Sequence, residues 1–210
     1  KLAYQWSMDA GERWMFNDCM QKPVYKWDSR NNFFIFYYDE LHRPIKAEVS
    51  ENGKAAIVTS IMEYGEGLTS DYMNGKVYRV CDTAGIITNE EYDFKGNLLK
   101  SKRQLCKEYK QNIDWTVIAD VVMIPDEYTT VSEFDALNRP AKIISPDRSI
   151  FTPYYNEASM LEKMTVNVKG GGDKEFVSDI DYNEKGQRKF IKYGNGVGTT
   201  YEYDEETFRI

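Results

Sequence analysis

Tyr92-Asp93-Phe94-Lys95-Gly96 and Tyr182-Asn183-Glu184-Lys185-Gly186 decide how this chain folds. Each sets an aromatic before Asp or Asn, then two free positions, then a residue that accepts positive φ. Tyr38-Asp39-Glu40-Leu41-His42 and Phe134-Asp135-Ala136-Leu137-Asn138 repeat the plan. So do Trp27-Asp28-Ser29-Arg30-Asn31 and Cys81-Asp82-Thr83-Ala84-Gly85, the latter with Cys in the aromatic slot. An Asp or Asn opening a type I turn accepts a hydrogen bond from the backbone N–H two residues on. The chain then turns left-handed as the strands rejoin with a bulge, a region Gly enters freely and Asn or His tolerate. These copies end in Gly, Asn or His and nothing else, which a three-residue hairpin loop explains and a helix does not.

Two copies are degraded. Tyr155-Asn156-Glu157-Ala158-Ser159 lacks a favourable last residue, and Tyr203-Asp204-Glu205-Glu206-Thr207 calls for a longer turn. Asn52-Gly53, Asn74-Gly75 and Gly194-Asn195-Gly196 add further hairpin signals. Between turns the pattern has period two. Phe176, Ser178, Ile180 and Tyr182 share one face, and Val177, Asp179 and Asp181 the other. Ile45, Ala47 and Val49 likewise alternate with Lys46 and Glu48. The stretch 32–38 is apolar on both faces, which predicts a strand covered on both sides or touching a further part. Asp28 and Asp39, like Asp82 and Asp93, stand eleven positions apart, one strand plus one turn. A helix fits only 98–110, where Leu98, Leu105 and Tyr109 could share a face. The expected fold is all-β: antiparallel hairpin repeats in one curved sheet over 1–210.

Composition narrows function by exclusion. The formal net charge is −7 and the basic residues are scattered, a poor basis for neutralising phosphates, so nucleic acid is not an expected partner. No apolar run approaches the roughly 20 residues that span a bilayer. The first ten residues are polar and aromatic, unlike a signal peptide. The chain starts without Met, which suggests a fragment of a longer protein. Cys19, Cys81 and Cys106 are odd in number and widely spaced, so neither a disulfide framework nor a zinc site is expected.

The candidate sites resolve to structure. Turn aspartates spend their oxygens on backbone N–H groups, which favours capping over catalysis. His42, the single histidine, stands where its siblings carry Gly or Asn, and is expected at positive φ. Asp179, Asp181 and Asn183 imitate a calcium loop, but Glu184 and Phe190 occupy the places of its glycine and closing glutamate. Gly170-Gly171-Gly172 lacks the Lys-Ser/Thr ending of a phosphate loop and has Asp173 beside it. No catalytic, cofactor or metal site is expected. The aromatic surplus of 14% is read as core, with a sugar-binding or adhesion platform as the alternative function.

Tyr92 to Leu98, Phe134 to Pro140 and Tyr193 to Val197 resemble YD repeats of the Rhs family. Gly75–Arg79 through Arg103–Leu105, and Tyr182 to Ile210, are most similar to the Rhs-repeat region of insecticidal toxin-complex (Tc) B subunits. The resemblance runs from about Trp14 to Ile210. It implies a non-enzymatic segment of a hollow β-shell, secreted or at the cell surface. Its implied partners are the rest of the shell, an enclosed toxic polypeptide and a translocation subunit. The family's self-cleaving aspartate motif, its upstream propeller and a C-terminal toxin have no counterpart in this sequence.

Overall fold

A computed structural model describes residues 2–69 and 72–210. Sixteen strands are present among them, each hydrogen-bonded to its chain neighbours in sequence order. They are β1 (Tyr4–Ser7), β2 (Gly11–Asn17), β3 (Pro23–Asp28), β4 (Phe33–Tyr38), β5 (Pro44–Ser50), β6 (Ile57–Tyr64), β7 (Val77–Asp82) and β8 (Gly85–Tyr92). There follow β9 (Leu98–Cys106), β10 (Met123–Phe134), β11 (Pro140–Ile144), β12 (Ile150–Tyr155), β13 (Leu161–Asn167), β14 (Asp173–Tyr182), β15 (Arg188–Tyr193) and β16 (Gly198–Thr200). The pairing is antiparallel. Among the described residues the one helical element is a 3-10 turn at Ile118–Asp120.

The chain packs as two compact units, Lys1–Gly96 with Ser101–Tyr128, and Asn97–Lys100 with Thr129–Ile210. The first unit holds a buried cluster of Val58, Cys81, Cys106, Ile113 and Trp115. Two of these, Ile113 and Trp115, come from the long connection between β9 and β10. Trp115 is wholly buried. Its backbone N–H donates to Val58 O at 2.8 Å and its indole Nε1 to Asp82 O at 2.9 Å. Asp114 Oδ1 accepts from Val58 N at 3.1 Å. The connection is therefore fastened to β6 and to the end of β7, and its indole fills the face between them. Burying a side chain of this size contributes about 3 kcal/mol. In the second unit the buried apolar positions are Val166 on β13, Ile180 on β14 and Ile191 on β15, with Ile180 directly opposite Ile191.

Two expectations meet different outcomes. The helix allowed at 98–110 is instead strand β9. Cys106 N donates to Ala84 O at 3.0 Å and Gln104 Nε2 to Ile124 O at 2.9 Å. A helix there would strip β8 and β10 of their ladder partner, a cost that local apolar spacing cannot offset. Of the two alternatives for 32–38, cover on both sides is not found among the described residues: the strand is half-buried, with Phe33 37% exposed, which leaves contact with a further part.

Candidate functional site: a tyrosine-tied turn edge

In a meander of antiparallel strands, successive turns alternate between two edges. The turns at Asp18, Asp39 and Asp93 therefore share one edge of the first unit, and those at Asp28 and Asp82 lie on the other. In the second unit Asp135, Asn156 and Asn183 share an edge, opposite Ser145–Ser149 and Tyr193–Val197.

The loop geometry is uniform. Asn31, His42 and Asn138 have φ of 61°, 58° and 63°, and Gly96 and Gly186 have φ of 88° and 75°. Asp28, Asp39, Asp135 and Asn183 each donate their N–H to the carbonyl four residues on, and each accepts from the N–H three residues on. The side chain completes the turn. Asp135 Oδ1 accepts from Leu137 N at 2.8 Å and Arg139 N at 3.0 Å, while Oδ2 takes Arg139 Nε at 2.7 Å. Asp39 and Arg43 repeat that arrangement, with Nε to Oδ2 at 2.7 Å. Asn32 Nδ2 donates likewise to Asp28 Oδ2, whereas at Asn183 the direction reverses and its Nδ2 donates to Gln187 Oε1. The hydrogen bond from Arg139 N, foremost, holds the Asp135 carboxyl below the usual carboxylate range. Burial pushes Asp82 upward, but Arg103 and the N–H groups of Ala84 and Gly85 outweigh it and its pKa is lowered.

The degraded copies divide. Ser159 adopts φ 64° and closes the ordinary turn on Asn156 despite its side chain. The Asp204 turn is one residue longer: Asp204 N donates to Arg209 O, and Phe208 takes φ 56°. Gly85 departs from the plan. Asp82 pairs directly with Gly85, leaving a two-residue loop, and φ at Gly85 is 151°. A Cβ there would collide with Gln104 O, so this glycine serves close approach of β8 to β9 rather than a left-handed bend. Two turns of the common geometry had no recognisable motif, Asp18 to Lys22 and Ser145 to Ser149, with Gln21 and Arg148 at positive φ; Tyr193 to Val197, signalled by Gly194-Asn195-Gly196, shares the geometry with Gly196 at positive φ. Only the Asp18 turn carried a legible acid.

The aromatic before the acid does more than pack. Tyr38 donates its hydroxyl to Pro23 O at 2.8 Å, Tyr92 to Val77 O at 2.7 Å, and Tyr155 to Pro140 O at 2.9 Å. Tyr182 reaches Leu161 O at 2.7 Å and Tyr203 reaches Arg188 O at 3.0 Å. Tyr64, outside any motif, does the same to Pro44 O at 3.0 Å. Each tyrosine thus ties the end of one strand to the start of the strand before it, beside the preceding turn on the same edge. Phe134 has no hydroxyl to give, and Trp27 and Cys81 precede turns on the opposite edge. Arg43 lies 3.9 Å over the Tyr64 ring and Arg139 4.3 Å over Tyr155, joining acid, arginine and tyrosine at two corners.

The register slips by one residue at these tyrosines: between Tyr37 and Tyr38, Glu63 and Tyr64, Tyr154 and Tyr155, and Asp181 and Tyr182. It slips beside Phe134 as well. Across the Asp28 turn no slip occurs. Other slips occur between Phe16 and Asn17, Ala47 and Glu48, Met164 and Thr165, and Val177 and Asp179, but the one that recurs beside a tyrosine lies at the tyrosine turns.

Other candidate chemistry finds no support in the geometry. Burial raises the thiol pKa of Cys81 and Cys106, the reverse of an activated nucleophile. Among the described residues no cluster of three metal-ligating side chains occurs, and no helix is long and apolar enough to cross a membrane. Tyr4, Trp14, Trp27, Phe33, Tyr25 and Phe16 form a ladder over β1–β4 with ring centroids 5.7–6.2 Å apart. Trp14 and Trp27 lie within 9° of parallel, so their faces address each other rather than a sugar.

Fold and corner together define a bulged antiparallel sheet of YD-type hairpins. No family model matches the sequence. Toxin subunit YenC2 of Yersinia entomophaga is 26% identical over the whole chain, and Toxin subunit YenC1 of the same organism 22% identical over 97% of it. The chain spans 24% and 22% of their lengths. Among solved structures, TcdB2-TccC3 matches with a TM-score of 0.85 at 23% identity, over 99% of this chain and 10% of its own. A Photorhabdus luminescens Tc holotoxin pore matches at 0.84 and 24%, over 99% of this chain and 10% of its own. In sequence the chain is thus similar to part of two toxin subunits, and its fold is that of the matching stretch of the Tc-toxin structures.

Proposed function

We propose that this chain is non-catalytic wall: a stretch of Rhs shell that encloses a toxic polypeptide and aids its delivery from a secreted or cell-surface particle. Its partners are then the remaining repeats of the shell, the enclosed polypeptide and a translocation subunit. The observation that carries this reading is the one-residue bulge repeated beside the tyrosine at one edge. An extra residue on the same edge of hairpin after hairpin increases local twist and bends the strands in a consistent sense. The tyrosine hydroxyls then hold each bent corner to the preceding one. Curved sheet with pinned corners suits a container, and the likeness to toxin subunits supports that use.

Assembled particles provide the test. In the complete polypeptide, with Cys19→Ser, single cysteines at Lys163 and Met164 point to opposite faces of β13, where the register with β12 is unbroken. A wall predicts that a long maleimide-PEG labels one of them in the particle and both after denaturation. Equal labelling of both in the intact particle sinks the reading. Deleting Leu161–Tyr182 should expose the enclosed polypeptide to protease, and undiminished protection would sink it too.

A further inference from the structure

On the face of β2–β4 opposite the aromatic ladder lies a hollow of about 400 Å³. The strand register places its lining. Met15 sits opposite Lys26, Lys26 opposite Phe34, and Arg13 opposite Asp28. Phe36, two residues beyond Phe34, completes the apolar part, with the Lys26 ammonium 5.2 Å from its ring centroid. Met15, Lys26, Phe34 and Phe36 are half-buried, whereas Arg13 is exposed at the rim.

The charges of this hollow are out of balance. Among the described residues, neither Arg13 nor Lys26 has a carboxylate within ion-pair distance. Asp28 is the nearest acid by register, but its oxygens are committed. Oδ1 accepts from Arg30 N at 2.9 Å and Asn32 N at 3.1 Å, and Oδ2 from Asn32 Nδ2 at 3.0 Å. In a chain of net charge −7, this apolar depression is lined by two cations, Arg13 and Lys26, against the single carboxylate of Asp28, which is turned to its own loop N–H groups, so its local balance is positive. Such a depression falls within the size range of small-ligand sites, where apolar surface supplies affinity and a few polar groups fix orientation. An anion there gains charge-assisted hydrogen bonds from a guanidinium and an ammonium.

We infer that this hollow binds a small amphipathic anion: a carboxylate held by Arg13 and Lys26, with an aliphatic body against Met15, Phe34 and Phe36. A neutral amphiphile forfeits the charged contacts, and a cationic one meets repulsion from both. The inference is independent of the shell reading, because it rests on the lining of one hollow.

Titration calorimetry and amide chemical-shift mapping on the full chain decide it. The probe is octanoate, with octan-1-ol and octylammonium as neutral and cationic controls. Octanoate should bind one saturable site, with shifts confined to β2–β4. Octan-1-ol should bind about tenfold more weakly, the scale of a hydrogen bond to a charged group. Arg13→Gln and Lys26→Gln should each weaken octanoate by a similar factor while leaving octan-1-ol unchanged, with retained far-UV circular dichroism as the folding control. Should Lys26→Gln disturb the sheet, Arg13→Gln alone carries the comparison. Phe16→Ser, on the opposite face, should leave binding intact. Equal affinity for octanoate and octan-1-ol, no saturable binding at millimolar concentration, or loss of binding in Phe16→Ser would each overturn the assignment.

Discussion

Two stretches of one sheet face in the first unit meet different fates. Cross-strand pairing runs from Tyr37 through Lys46, Ile61 and Cys81 to Ile86, so the aromatic ladder of β1–β4 and the buried cluster of β6–β8 look the same way. Over the cluster, the β9–β10 connection lays Ile113 and Trp115 on the sheet, and Cys81 is wholly buried. Over the ladder nothing within the described residues is laid, and Phe16 and Trp6 stay 58% and 64% exposed. Apolar content does not separate them, for the ladder holds the larger rings. The difference lies in whether a chain segment arrives with backbone donors to fasten itself, as Trp115 N does at Val58. A sheet face becomes core only when something covers it.

The largest effect should come from removing the cover. Trp115→Ala is expected to destabilise the first unit by about 3–5 kcal/mol, because it leaves a cavity as well as losing burial. Denaturant melts would show it, together with new thiol reactivity at Cys81 and Cys106. A loss comparable to that of an exposed aromatic would abolish the contrast. Next come the corner hydroxyls. Tyr155→Phe and Tyr182→Phe keep the ring and delete one donor each, and should cost about 1 kcal/mol apiece by the same melts. Because their acceptors lie at strand starts, hydrogen exchange should quicken near Pro140 and Leu161.

On the open ladder, Phe33→Thr should cost less, about 0.5 kcal/mol or under, since the ring is already part-exposed and Thr suits a strand. A cost equal to that of Trp115→Ala would mean the ladder is as much core as the cluster. The smallest effect is electrostatic. Asp28, Asp39, Asp82 and Asp135 all have folded-state pKa values below the ordinary 3.8. A lowered folded pKa favours the ionised form in the native state. Its stabilisation is therefore present above about pH 4 and is lost as pH falls through the folded values. Asp135→Asn should flatten the acid limb of a stability–pH profile, and an unchanged limb would remove that corner from the account.

The corners were largely legible in the chain. Asp or Asn followed at a fixed interval by Gly, Asn or His is a local signal, because the hydrogen bonds of a three-residue loop lie within five positions. Where the local signal was poor, as at Ser159 and Arg148, flanking strands imposed the left-handed bend that the side chain alone disfavours. Gly85 was read as a left-handed corner exchangeable with Asn or His, whereas its constraint is the backbone of β9 across the sheet, which admits no Cβ. The tyrosine ties were invisible: their acceptors are carbonyls 15 to 21 residues away, and every residue has a carbonyl.

By itself, then, the sequence determined the β class, most turn positions and the alternation of faces in unbulged strands such as β5, all set by interactions between near neighbours; in β14 the slip between Val177 and Asp179 puts Val177 on the face of Ile180 rather than that of Asp179. The tertiary structure alone decided which edge each turn occupies, where the bulges fall, that 98–106 extends as a strand, and which apolar face is roofed by Trp115. Those outcomes depend on which backbone groups find partners across the sheet, and a donor's partner is chosen by register and proximity rather than by residue type.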